Sequence, residues 1–135
     1  MQKSTSCFTV MIMKFILDTH IFLWVLAMPE KLSQDRQIEI EIQSNRVFVS
    51  AVSIAEMMLK ASMGKLTIDF DPVKITEKSG FDILDFTGED ALLLKDLPFY
   101  HKDPFDRMLI VQSISNKFKI MTDDVKFQKY NCDLV

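Results

Sequence analysis

Lys14-Phe15-Ile16-Leu17-Asp18-Thr19-His20 is the stretch that decides the fold. Phe15 to Leu17 is an apolar run that stops abruptly on an acid, and a second apolar stretch, Ile21 to Ala27, resumes after only Thr19 and His20. A short apolar run so closely bounded reads as a buried strand followed by a helix, with Asp18 delivered to the rim of a sheet. Three further acidic positions fall at the same kind of junction: Glu56, Asp106 with Asp103 nearby, and Asp124 with Asp123. In an open α/β sheet, loops from separate strands converge at the carboxyl ends of the strands, and ligands bind there. Four carboxylates brought to that place would make a metal site.

Outward from this stretch, helices and strands alternate. Ile21 to Ala27 is a short helix stopped by Pro29, and Ser33 caps a second helix whose Ile and Glu alternation also resembles a strand. Val47 to Ser50 is a β-rich run, and a helix opens at Ser53 and runs to Met63, with Gly64 as its stop. Asp71-Pro72 starts a short helix to Ser79, Phe81 to Phe86 reads as a strand, and Thr87 caps a helix over 89–94. A polar loop, Tyr100 to Pro104, leads to a helix from Phe105 to Asn116. A strand over Lys119 to Thr122, a final helix-like turn to Tyr130 and an edge strand over Cys132 to Val135 complete the expectation. The alternation implies βαβ units and a parallel sheet covered on both faces.

The totals fit a single domain. Hydrophobic content of 48% with 26% charged residues is ordinary for a globular protein, and three Gly and four Pro leave no long linker. The net charge of −3 speaks against holding nucleic acid by bulk charge. That objection weakens if four carboxylates are neutralised by cations, since the rest of the chain is then slightly positive. Cys7 and Cys132, far apart, suit a reducing compartment. Lys14 and Asp18 interrupt the apolar start, and no uncharged run reaches the roughly eighteen residues of a membrane span. A cytoplasmic protein without a membrane is therefore expected, with residues 1–12 an N-terminal, disordered extension and 13–135 the domain, Met11 or Met13 being alternative starts.

Each acid also fits a purely structural role. Ser53-x-x-Glu56 has capping-box spacing. Asp103 before Pro104 is a good N-cap, Asp106 suits the first helical turn, and Asp123 or Thr122 can cap the last helix. Asp18 is less easily explained this way, because Thr19 is available as a cap. If the four carboxylates converge, a pair about 4 Å apart repels by roughly 4 kcal/mol at an effective dielectric near 20. Protons or divalent cations must relieve that repulsion, and hard oxygen ligands without a Cys or His cluster select Mg²⁺ or Mn²⁺ over zinc.

Four motifs, in order, resemble those of PIN-domain proteins, specifically VapC-type toxins of bacterial toxin–antitoxin pairs. They are Leu17-Asp18-Thr19-His20, Ser53-x-x-Glu56 with Lys60, His101-Lys102-Asp103-Pro104-Phe105-Asp106-Arg107, and Thr122-Asp123-Asp124-x-x-Phe127. The resemblance implies a three-layer α/β/α sandwich with a central, mostly parallel sheet. It also implies a Mg²⁺-dependent ribonuclease, held inactive by a cognate antitoxin and commonly a homodimer. Carried over by position, Asp18, Glu56, Asp106 and Asp124 are the catalytic, metal-holding acids, with Asp103 and Asp123 as further candidates.

Carboxylate-held Mg²⁺ activates water against a phosphodiester without a nucleophilic side chain. Lys60, His101, Lys102 and Arg107 are candidate contacts to the RNA phosphates; for Lys60 and Lys102 a solvated surface charge, and for His101 a local hydrogen bond, are the alternatives. Phe22, Trp24, Met57, Met58 and Met108 have core spacing, or the first helices expose part of this surface as a groove for an antitoxin helix. A haloacid-dehalogenase phosphatase would want a second acid at position 20, which is His, and a receiver domain would want an acceptor Asp after Val47 to Val49. A non-catalytic RNA- or protein-binding module with a degenerate site is the remaining alternative, against which the presence of all four acids speaks.

Overall fold

The computed structural model describes residues 12–135; the expected extension over residues 1–12 lies, Ile12 apart, outside them. Four strands, β1 (Lys14–Leu17), β2 (Arg46–Ser50), β3 (Asp82–Leu84) and β4 (Lys119–Met121), form one parallel sheet in the order β3-β2-β1-β4. Phe15 stands opposite Val47, Ile16 opposite Phe48 and Ile120, and Leu17 opposite Val49 and Met121. Because side chains alternate across a strand, this register sends Phe15, Leu17, Val47, Val49 and Met121 to one face, and Ile16, Phe48 and Ile120 to the other. Both sets are buried, which is why these strands read as unbroken apolar runs and not as alternating ones.

The first face is covered by α1 (Thr19–Ala27) through Ile21 and Phe22, with Leu32 and Met57. On the second, α6 (Pro104–Asn116) supplies Leu109 against Ile16 and Phe48, and Ile110 and Val111 against Ile120 and Phe127. The molecule is thus the expected three-layer α/β/α sandwich. The remaining helices are α2 (Gln34–Glu41), α3 (Ala51–Ser62), α4 (Pro72–Lys78) and α5 (Gly88–Leu92). Ser33, Asp71, Thr87 and Asp103 cap α2, α4, α5 and α6 as the sequence predicts, and Asp90 completes a capping box with Thr87.

Several local expectations change. The Ile and Glu alternation after Ser33 is helical. The predicted Phe81–Phe86 strand shortens to Asp82–Leu84, with Phe81 turned into the core. Helix α3 starts at Ala51, two residues before the expected start, and Ser50 caps it by accepting Val52 N at 3.0 Å. Ser53-x-x-Glu56 is therefore no capping box; both residues lie inside the helix and are buried. The Ser50 hydroxyl also lies 2.6 Å from Gln112 Oε1, and Gln112 Nε2 donates to the Asp85 carbonyl at 3.1 Å. This bridge, buried on its Ser50 side, fixes α6 against β2 and the end of β3. The last turn, Val125–Lys129, is 3₁₀ and not α, and the expected edge strand is reduced to one parallel bridge between Ile120 and Leu134.

Candidate metal centre

The strand order reverses between β1 and β4, since β2 and β3 lie to one side of β1 and β4 to the other. Chain segments leaving the carboxyl ends of β1 and β4 diverge there and leave a crevice. Asp18 follows β1 directly, and its N–H donates to Met121 O at 3.1 Å. Its Oδ1 accepts Ile21 N at 2.8 Å, and its Oδ2 accepts the Thr122 hydroxyl. Asp18, and not Thr19, therefore caps α1. Its extended backbone turns the short side chain back over the first helical turn, while Thr19 is already the first helical residue.

Thr19 is buried and points at α3, with its Oγ1 2.8 Å from Glu56 Oε1 and 2.9 Å from Ser53 Oγ. A hydroxyl has one proton and a carboxylate only accepts, so Thr19 donates to Glu56 and receives the Ser53 proton. The second Glu56 oxygen takes Lys60 Nζ at 2.8 Å, one turn further along α3. That hydrogen bond, outweighing partial burial and joined by the nearby charges of Glu56, Asp103 and Asp106, holds the Lys60 ammonium above its ordinary pKa.

Asp106 enters from the first turn of α6, where Asp103 Oδ1 accepts the backbone N–H groups of Phe105 and Asp106 at 2.8 and 3.3 Å. Among the described residues the Asp106 carboxyl has no hydrogen-bond partner. Burial first, then the charges of Asp103, Glu56 and Asp18, raise it to about 7, with His101 acting in the opposite direction. Burial likewise raises Asp18, against the hydrogen bonds from Thr122 and Ile21. Asp124 behaves differently. Burial there is outweighed chiefly by the hydrogen bonds from His101 and Lys126 N, so its carboxyl lies below the usual range.

Asp18, Glu56, Asp106 and Asp124 line one crevice of about 240 Å³, together with Asp103 and Lys60. One oxygen each of Asp106 and Asp124 and a ring nitrogen of His101 lie within 4.8 Å of one another. Two ionised carboxylates at that distance repel by roughly 3 kcal/mol at an effective dielectric near 20. Hard oxygen donors, an unpartnered half-buried carboxyl and the absence of a thiolate from the crevice lining fit a hard divalent cation.

Other sequence candidates lie elsewhere. Asp123 pairs with Arg36 of α2 in a separate hollow, so Asp124 is the acid of this segment that faces the cluster. It is also Asp124, and neither Asp123 nor Thr122, that caps the 3₁₀ turn, through Lys126 N. Arg107 is buried and its guanidinium donates to the carbonyls of Leu94, Leu97, Pro98 and His101, so it is not a free phosphate contact. His101 is buried against Tyr130 and Asp124, and Lys102 is exposed on the loop outside the crevice lining. The sequence reading had Thr122 only as a cap and motif residue and Tyr130 only as the end of the last turn, and missed their contacts with Asp18 and His101. Thr122, a polar residue directly after the apolar β4, was the one with a visible signal.

A parallel α/β/α sandwich with a carboxylate crevice at its switch point is a class of domain whose acids can hold a cation. The family model of the PIN domain matches residues 15–131. The chain belongs to the PIN-domain family, whose members are generally nucleases that use divalent metals. Solved structures share the fold at low sequence identity. One is VapBC2 from Rickettsia felis bound to a DNA fragment from their promoter, 15% identical, with a TM-score of 0.64 over 90% of this chain and 96% of that one. Another is DNA-bound VapBC from Salmonella typhimurium, 18% identical, with a TM-score of 0.65 over 91% and 96%. A third is FitAcB from Neisseria gonorrhoeae, 17% identical, with a TM-score of 0.53 over 89% and 95%. No curated protein matches the sequence. No helix among the described residues is long and apolar enough to cross a membrane.

Proposed function

We propose that this chain is a Mg²⁺-dependent endoribonuclease, the VapC-type toxin of a toxin–antitoxin pair, with Mn²⁺ as a working substitute. The observation that carries the reading is the convergence of Asp18, Glu56, Asp106 and Asp124 on one crevice, with Asp106 left unpartnered. Asp18 and Asp124 are pre-oriented by backbone N–H groups, Glu56 by Thr19 and Lys60, and Asp106 projects from a capped helix end. Asp18, Glu56, Asp106 and Asp124 would hold the cation, which when bound would supply a water of lowered pKa and a positive charge to offset the leaving oxygen of a phosphodiester. Lys60, with its side chain 42% exposed, offers a positive charge to the phosphate beside the acids, and Lys102 offers a second from the loop. Asp103 holds the α6 end in place and lines the crevice as a further acid.

Likeness to the VapBC complexes supports an antitoxin as partner; a homodimer acting in the cytoplasm completes the proposal and rests on the sequence resemblance alone. Exposed Met28, Ile38 and Ile42, around a hollow lined by Val25, Leu32 and Ile40, offer an apolar seat for an antitoxin helix on α1 and α2. Residues 13–135 would act as one domain.

The test is cleavage of a mixed pool of structured RNAs with Mg²⁺, with Mn²⁺ and with chelator, alongside Asp18→Asn. Asn is as good an N-cap as Asp, so the substitution keeps the start of α1 while it removes the charge and replaces the acceptor facing Thr122 with a donor. Cleavage should need the metal and fall to background in Asp18→Asn with the fold intact. Undiminished cleavage by that variant, or in chelator, would sink the mechanism; no cleavage by a folded wild type would favour a non-catalytic binding module.

A further inference from the structure

His101 is buried at 6% exposure, yet it sits beside the acid cluster. Its ring is stacked on Tyr130 at 5.5 Å and meets the edge of Phe127 at 4.8 Å, so it is held in one orientation. Two segments distant in sequence meet here, the loop before α6 and the turn that Asp124 opens and Tyr130 closes, and their hydrogen bonds have a direction. The backbone N–H of His101 donates to the Tyr130 hydroxyl oxygen at 2.8 Å, and the same hydroxyl lies 3.3 Å from His101 Nδ1. That oxygen could accept again, so the direction is set from the other side of the ring: Nε2 faces an acceptor-only carboxylate and holds the ring proton, which leaves Nδ1 to accept the Tyr130 proton. A neutral imidazole that accepts at Nδ1 carries its proton on Nε2, because the partner of one ring nitrogen sets the state of the other. Nε2 lies 2.9 Å from Asp124 Oδ2, which can only accept.

We propose that Tyr130 and His101 form a relay that positions Asp124 for cation binding, so that His101 serves the centre through Asp124 and is neither a ligand nor a phosphate contact. The relay rests on the metal-centre reading above. Asp124 Oδ1 accepts Lys126 N at 2.9 Å, so both carboxylate oxygens are fixed by N–H donors, each keeping a lone pair for the crevice. The nitrogen nearest the cluster is the protonated one and has no lone pair to offer a metal. Arg107 supports the same loop by binding the carbonyls of Leu97 and Pro98 at 3.0 and 2.9 Å. Outer partners of metal ligands typically contribute about 10- to 100-fold in affinity.

The experiment uses the full chain: wild type, Tyr130→Phe, His101→Ala, His101→Gln and, as a ligand control, Asp18→Asn. Mn²⁺ alone is titrated by calorimetry, and the His101 ring nitrogens are read by ¹⁵N NMR in the metal-free protein. The wild type should show an unprotonated Nδ1 and a protonated Nε2, and Tyr130→Phe should lose that preference. Mn²⁺ affinity should fall about 10- to 100-fold in His101→Ala. His101→Gln, whose amide N–H can still donate to Asp124, should recover part of the loss, a rescue that a merely structural role would not produce. If His101→Ala fails to fold, Tyr130→Phe supplies both readouts. A proton on Nδ1 in the wild type, or wild-type affinity in His101→Ala while Asp18→Asn is impaired, would overturn the relay alone. Absence of Mn²⁺ binding by the wild type would overturn the metal-centre reading and the relay with it.

Discussion

Asp106 is a carboxyl held against its preference for water. Burial, followed by Asp103 and then Glu56 and Asp18, raises it to about 7, whereas in the unfolded chain an Asp titrates near 3.9. Between those values the folded protein keeps a proton that the unfolded chain has released. Stability of the metal-free protein should therefore fall as pH rises from about 4 to about 7, and level off above. Asp18, also raised by burial, adds to this slope. Asp124, lowered mainly by His101 and Lys126 N against burial, has the opposite sign, and its contribution is lost only as pH drops below about 4. Thermal melts in chelator from pH 4 to 8 should show the decline, and Asp106→Asn should flatten it. A wild-type melting temperature that rises across that range would contradict the cluster's electrostatics.

At the scale of elements, α6 and the loop before it form one unit. Arg107 binds four carbonyls of residues 94–101 and its guanidinium lies 3.9 Å over the Phe99 ring. Arg107→Ala leaves buried acceptors without donors and should destabilise the protein by roughly 2–3 kcal/mol, measurable by urea unfolding. Arg107→Lys should recover little, since a single ammonium cannot span the carbonyls that the planar fork reaches. Removing the α6 cap with Asp103→Ala should lower stability by about 1 kcal/mol in the same assay. These helix ends differ in how far the sequence disclosed them. Asp103-Pro104 and Thr87 were legible because a cap and its neighbours are local. Ser50 was hidden behind Ser53, whose spacing to Glu56 imitates a capping box. Arg107 read as a free cation because its partners belong to a loop that folds back over α6, a tertiary event with no local signature.

For the whole molecule, the strand-to-acid junctions at Asp18, Glu56 and Asp124 disclosed both a parallel sheet and the end of it that matters. The strand order was not legible, because β4 pairs with β1 across more than a hundred residues. That order alone brings Asp124 beside Asp18 and leaves Asp123 to Arg36. The apolar surface of α1 and α2 leads to a prediction on the same scale. If the proposed antitoxin is the partner, the chain made alone should be less soluble than when co-expressed with it, and Ile38→Glu should weaken their co-purification. Equal solubility and unchanged co-purification would place the partner elsewhere.

The tail that bridges β4 has a consequence of a different kind. Ile120 N donates to Asp133 O and Val135 N to Ile120 O, both at 2.9 Å, so the outer rim of β4 is already occupied. A strand rim left open is a template for a foreign chain. The opposite rim, β3, is guarded by the charged pair Arg46 and Asp82, whereas among the described residues β4 has these few to shield it. Deleting Asp133–Val135 should therefore make the chain form intermolecular β-aggregates to a greater extent than the full-length chain does. Light scattering would reveal the change before any loss of metal binding.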